Sequence, residues 1–183
     1  MSARSNPSIE QTSQRPLASF GPPIRSNVRL HSGLTLVRLE REKDLSATFS
    51  GPLWISGTFV GHWPAGAANP GEREPEYLLV PHERSINRLP YFLLKDPPYV
   101  KPYKVRVISL ANGSDALRRA VTAEDARRLL ERRVSHVRST GSFLVEAYVV
   151  GVECDAPWAR AVLLKSDLPK QLASMHRAVP EGC

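Results

Sequence analysis

TAEDARRLLERRVSHVRSTGSFLVEAYVVGVE, residues Thr122–Glu153, changes its hydrophobic period partway along. In the first part Ala126, Leu129, Leu130 and Val134 recur at helical spacing. Thr122 stands where an N-cap belongs, and Glu124 and Asp125 in the first turn complement the helix dipole. This predicts a helix over Ala123–Arg133. From Val134 the pattern turns extended, giving strands over Val134–Val137 and Phe143–Glu153. The second of these is apolar on both faces apart from Glu146, as a central strand should be. Ser139-Thr140-Gly141 interrupts the two and leaves open a hairpin there. Asp155-Ala156-Pro157 then turns the chain into a last strand, Trp158–Leu164.

Upstream of the helix the period is two. In Leu53–Trp63, LWISGTFVGHW, Leu53, Ile55 and Phe59 share one face while Ser56, Thr58 and His62 share the other. Gly57 and Gly61 inside this strand predict bends, as at a barrel corner. Glu76–Val80 and Tyr103–Leu110 read as the second and third strands, and Asn112-Gly113 as a turn. Leu34–Leu39 is a short lead-in strand, after which REKDLSATFSG reads as polar connection. The prolines of residues 64–75 forbid regular structure, and Pro81–Pro102 makes an unusually long connector. Residues 1–33 are polar, without apolar period, and read as a flexible tail. The expected domain spans 34–165. Residues 166–183 form a C-terminal piece in which Asp167 caps a short helix carrying Leu168, Leu172 and Met175.

Composition sets the outer bounds. With 42% hydrophobic and 23% charged residues the chain has enough apolar material for one ordinary core. Its longest apolar run, Ala147–Val152, falls far short of the roughly 20 residues that span a bilayer. The first residues lack the apolar stretch of a secretory signal, and Cys154 and Cys183 are too few for a disulfide framework. The expectation is a cytoplasmic protein with no membrane contact.

Strand, strand, strand, helix, strand, strand is the chain order of an OB-fold, and over residues 50–165 this sequence resembles one. The expected class is therefore mainly β (α+β), an OB-like barrel of five to six strands with one helix before the last strands. A small β-sandwich is the alternative. The resemblance implies binding, because OB-folds hold oligonucleotides or oligosaccharides or serve as protein-interaction modules.

Charge narrows the search for a site. The net +7 is concentrated in residues 84–119, where Arg84, Arg88, Lys95, Lys101, Lys104, Arg106, Arg118 and Arg119 face only Asp96 and Asp115. Within this segment Tyr91, Phe92, Lys95, Tyr99, Lys101, Tyr103 and Lys104 interleave rings with cations, the combination that stacks bases and tracks phosphates in single-strand binding. Arg106, Arg118 and Arg119 extend the candidate surface. The competing reading packs the rings over one barrel mouth and leaves the lysines in water. The pairs Arg118-Arg119, Arg127-Arg128 and Arg132-Arg133 diverge by about 100° on a helix and do not form one claw.

Metal and catalytic chemistry find no purchase. His62, His82, His136, Cys154 and Asp155 lack any recurrent ligand spacing, so no metal and no cofactor is expected. No nucleophile elbow or glycine-rich phosphate loop occurs. Glu146 and Glu153 are seven apart, on opposite faces of a regular strand. The sequence thus points to a non-catalytic binding module, with a protein partner favoured over single-stranded nucleic acid and an enzyme third.

Overall fold

The structure is a computed structural model that describes residues 33–40, 45–64, 74–96, 99–154 and 156–168. Its longest element is the strand that the Thr122–Glu153 stretch only half disclosed. Residues His136–Glu153 form one continuous strand, β8, with no hairpin at Ser139–Gly141. In chain order before it come β1 (Thr35–Glu40), β2 (Leu45–Ser50), β3 (Leu53–His62), β4 (Glu76–Pro81), α1 (Glu83–Ile86), β5 (Phe92–Asp96), β6 (Tyr99–Tyr103), β7 (Ile108–Leu110), α2 (Gly113–Ala120) and α3 (Ala123–Leu130). After it comes β9 (Ala156–Asp167).

The main sheet has seven strands in the order β1-β2-β8-β3-β4-β7-β9, and an added β8–β9 pairing closes β3, β4, β7, β9 and β8 into a ring. All its contacts are antiparallel except β7 with β9, where Ser109 lies beside Arg160 and Leu110 beside Ala161. β8 can serve three neighbours because it changes partner along its length. Residues 136–145 pair with β3, and residues 149–152 pair with β2. The ladder to β9 shifts register between Glu146 and Val149, where Ala147 takes φ +50°. Such a bulge bends a strand and increases its twist, which lets one strand belong to two parts of a sheet.

Two glycines shape the ring. Gly57 and Gly141 lie directly opposite each other. A Cβ on Gly57 would stand 2.6 Å from the Val80 carbonyl oxygen, and one on Gly141 2.7 Å from that of Asp167. Backbone approaches this close exclude any side chain, which is why glycine stands at both positions.

Inside the ring, Ile55, Phe59, Leu79, Ile108, Phe143, Val145 and Leu163 form one buried cluster. Tyr148 adds the largest fully buried side chain, its ring 6.2 Å from that of Phe49 on β2. The helices close over this core. Ala116, Leu117 and Ala120 of α2 and Ala126 and Leu129 of α3 face inward. Thr122 caps α3 as expected, its hydroxyl accepting from the Asp125 amide at 3.1 Å and donating to the Asp125 carboxylate at 2.9 Å. The end of α2 is tied to the sheet, because the Ser139 and Ser166 hydroxyls donate to the carbonyls of Ala120 and Arg119.

Several elements depart from the sequence reading. Between β7 and β8 stand two helices, α2 and α3, where one was expected, and the short α1 lies inside the long connector. The Asn112 side chain, which would have marked the start of α2, instead bonds both backbone groups of Leu163 on β9, at 2.9 and 3.1 Å. The expected polar connection at 41–51 contains β2, whose buried positions include small Ser46 and Ala47. The third strand is only Ile108–Leu110, since Tyr103 belongs to the β5–β6 hairpin inside the long connector. β9 runs on past the expected Leu164, as far as Asp167. The tail at 1–32 and the C-terminal helix beyond Leu168 fall outside the described residues.

Candidate functional site

Backbone pairing decides where the basic-aromatic segment points. Phe92 and Tyr103 face each other at the base of the β5–β6 hairpin, and both turn inward. Phe92 has 0% exposure, Tyr103 4% and Tyr91 8%, so these three rings belong to the core and offer no stacking platform. The side chains of Lys95, Tyr99 and Lys101 lie outside the described residues. Lys104 is half-buried, and its ammonium donates to the Asn87 side-chain oxygen at 2.7 Å. Arg106 is exposed.

The helix arginines are engaged with their own protein. Arg118 pairs with Asp115 at 2.5 Å, and Arg119 donates to the Leu164 carbonyl. Arg127 grips Glu124 at 2.7 Å, and Arg133 reaches Glu131 at 2.7 Å. The Arg127 hydrogen bond holds the Glu124 carboxyl below its ordinary range, and the same bond raises the Arg127 guanidinium. Arg118 and Arg119 stand on α2, and Arg106 lies in the stretch between β6 and β7.

A different surface emerges on the outer face of β8, β3 and β4. No Asp, Glu, Lys or Arg occurs between Leu53 and Trp63, so His62 is the one titratable side chain on the outward side of β3. Cross-strand neighbours build it row by row: Trp54 beside Leu144, Ser56 beside Ser142, Thr58 beside Thr140, Val60 beside Arg138, and His62 beside His136. On the other flank β4 sets Val80 beside Thr58, Leu78 beside Val60 and Glu76 beside His62. The hydroxyls of Thr58 and Thr140 bond at 3.1 Å, and His62 lies 3.5 Å from the Glu76 carboxylate.

At one end these rows form an open depression of about 450 Å³ with Val60, Leu78 and Val80 as its apolar floor and His62, His136 and Arg138 among its walls. Trp63 closes that end. Its indole N–H donates to the Leu129 carbonyl at 2.9 Å, and the Arg132 guanidinium lies 4.0 Å from its ring centre. At the other end Trp54 is 47% exposed, and on the flank Val80 is 38% exposed. Sequence reading grouped Ser56, Thr58 and His62 on one face of the strand and passed over it. The available signal was the missing charge, since a strand face meant only for water usually carries some.

Among the described residues no three His, Cys, Asp or Glu side chains converge as a metal site would need, and no helix is long and apolar enough to cross a membrane. No family model matches the chain, and no curated protein or solved structure matches it.

Proposed function

We propose that the chain is a non-catalytic binding module on an OB-like barrel, and that it docks a protein partner on the outer face of β3, β4 and β8. Support for the barrel comes from the ring order. Numbered within the ring, the first, second, third, fifth and fourth strands follow one another, the third and fifth run parallel, and the helices sit between the third and fourth. OB barrels share that arrangement. A cytoplasmic setting suits the two-cysteine count.

The observation that carries the docking reading is the exposure of Trp54 and Val80 around a strand without Asp, Glu, Lys or Arg. Half-exposed tryptophans are favoured anchors at interfaces, where a ring fills a partner's pocket and loses its remaining water. The buried rings of Tyr91, Phe92 and Tyr103 take support from the nucleic-acid alternative. What favours that alternative is the exposure of Arg106, Arg138, Arg160 and Lys165, which have no carboxylate partner among the described residues.

One pair of measurements separates them. Affinity capture is run with the wild-type chain and with Trp54→Glu/Val80→Glu, each with and without nuclease. The docking reading expects partners that survive nuclease and vanish with the double variant. Anisotropy of a labelled single strand of about twenty nucleotides is followed across a salt series, where phosphate binding would weaken with a log–log slope near −0.7 per contact. Tight, steeply salt-dependent binding together with nuclease-sensitive capture would replace the protein reading by the nucleic-acid one.

A further inference from the structure

We infer that the partner segment seated on this face is an extended, acidic stretch of polypeptide with aliphatic residues between its carboxylates, and that Arg138 selects it. The inference rests on the docking reading above and names the chemistry of its partner. Its starting point is the balance of charge around the depression. Arg138 projects from β8 beside the apolar floor, is exposed, and has no carboxylate partner among the described residues. His62 and His136 stand one row away and add positive charge when protonated. Arg132 over Trp63 places a further cation at the closed end. On the opposite flank the Glu76 carboxylate lies against His62. The depression therefore favours an anion at its β8 wall and aliphatic groups on its floor.

Spacing supports an extended segment. Outward residues on a strand recur about every 6.7 Å, and alternate side chains of an extended peptide recur at the same distance. A peptide running along β3 meets one row with each inward side chain. Over the Val80–Thr58 and Leu78–Val60 rows it meets methyl groups, and toward Thr140 and Arg138 it meets a hydroxyl and a guanidinium. Guanidinium holds a carboxylate in a bidentate fork, which gives Arg138 orientation as well as attraction. A single-stranded nucleic acid is also extended and anionic, but it needs ring faces for its bases and a continuous cation track. The floor here is aliphatic, Trp54 and Trp63 stand at opposite ends of the face, and Arg138 is a single cation in the β3–β8 rows and not a track.

The test is selection of a random peptide library displayed on phage against three full-length chains: wild type, Trp54→Glu/Val80→Glu, and Arg138→Glu. All three side chains are exposed, and near-ultraviolet dichroism checks that each variant keeps its packing. The expected result is enrichment of peptides alternating Asp or Glu with aliphatic residues. That enrichment should be lost with the double variant, and on Arg138→Glu the preference should turn to Lys or Arg. A synthetic peptide of the selected sequence should bind Arg138→Glu about tenfold more weakly, a difference of about 1.4 kcal/mol. Peptides that depend on Trp54 and Val80 but carry no carboxylates would overturn the acidic class and leave the docking face standing. Selection indifferent to the double variant would overturn both. Displacement of the selected peptide by oligodeoxythymidylate, with the same dependence on Arg138, would assign the face to nucleic acid and overturn the peptide class.

Discussion

Tyr148 shows how a single residue's surroundings become a property of the protein. It is fully buried on β8, and its hydroxyl donates to the Pro90 carbonyl at a long 3.5 Å. Burial pushes its phenol well above the ordinary value. Tyr77 is raised more mildly, by burial first and then by Glu74. A group held protonated by the fold contributes its stability fully below the unfolded-state pKa, about 10 for tyrosine, and loses it as pH rises beyond that. Urea midpoints should therefore fall between about pH 9 and about pH 11, and Tyr148→Phe should flatten that fall while costing less than about 1 kcal/mol at neutral pH. Equal slopes for both chains would show that Tyr148 is not the group responsible. The same residue scale explains what the sequence left undecided about Tyr91, Phe92 and Tyr103. Interleaving with lysines announces rings and charges, but which side of a strand a ring takes is set by its partner strand.

The end of α3 shows the same limit for an element. The helical period runs on toward Val134, and no glycine marks a stop, so the sequence predicts a helix through Arg133. The helix ends at Leu130 in a Schellman arrangement, with the Arg132 amide donating to Leu129 and the Arg133 amide donating to Arg128 at 2.8 Å. Arg132 takes the left-handed position, φ +58°, that usually belongs to glycine. This conformation strains an L-residue by about 1–2 kcal/mol. It also carries the guanidinium over Trp63. Substitution separates the two effects. Arg132→Ala keeps the strain and loses the ring contact, whereas Arg132→Gly loses the contact and relieves the strain. Arg132→Gly should be the more stable of the two by about 1 kcal/mol in urea unfolding. The reverse order would mean that the left-handed turn carries no cost here.

At the scale of the whole molecule, the ring depends on its shortest contact. β7 has three residues, and its parallel pairing with β9 joins segments about fifty positions apart in the chain. Asn112 prolongs that seam by bonding Leu163 from the turn between β7 and α2, and Ala111 adds a backbone bond to Ala161 at 2.8 Å. Ile108, with no exposed surface, fills the space behind it. Ile108→Ala should cost about 2–5 kcal/mol. Because one cluster joins ring, hairpin and helices, the loss should be felt everywhere at once. Unfolding followed by fluorescence of Trp63 alone and of Trp158 alone, each in a chain whose other tryptophans are phenylalanine, should give coincident transitions. Separate midpoints would mean that the β8–β9 end and the α3 end unfold independently.

Taken alone, the sequence determined the parts whose period is strong: the β3 alternation, the Thr122 cap and the apolar β8. It also determined that charge is missing from Leu53–Trp63 and gathered in residues 84–119. These are local properties, written by residues a few positions apart. The tertiary structure decided which strands meet, that β8 changes partner at Ala147, that three rings of the basic segment face inward, and that the outer rows of β8, β3 and β4 form a depression beside Arg138. Each of these depends on register between distant strands. A one-residue shift would exchange the two faces while leaving every local pattern intact.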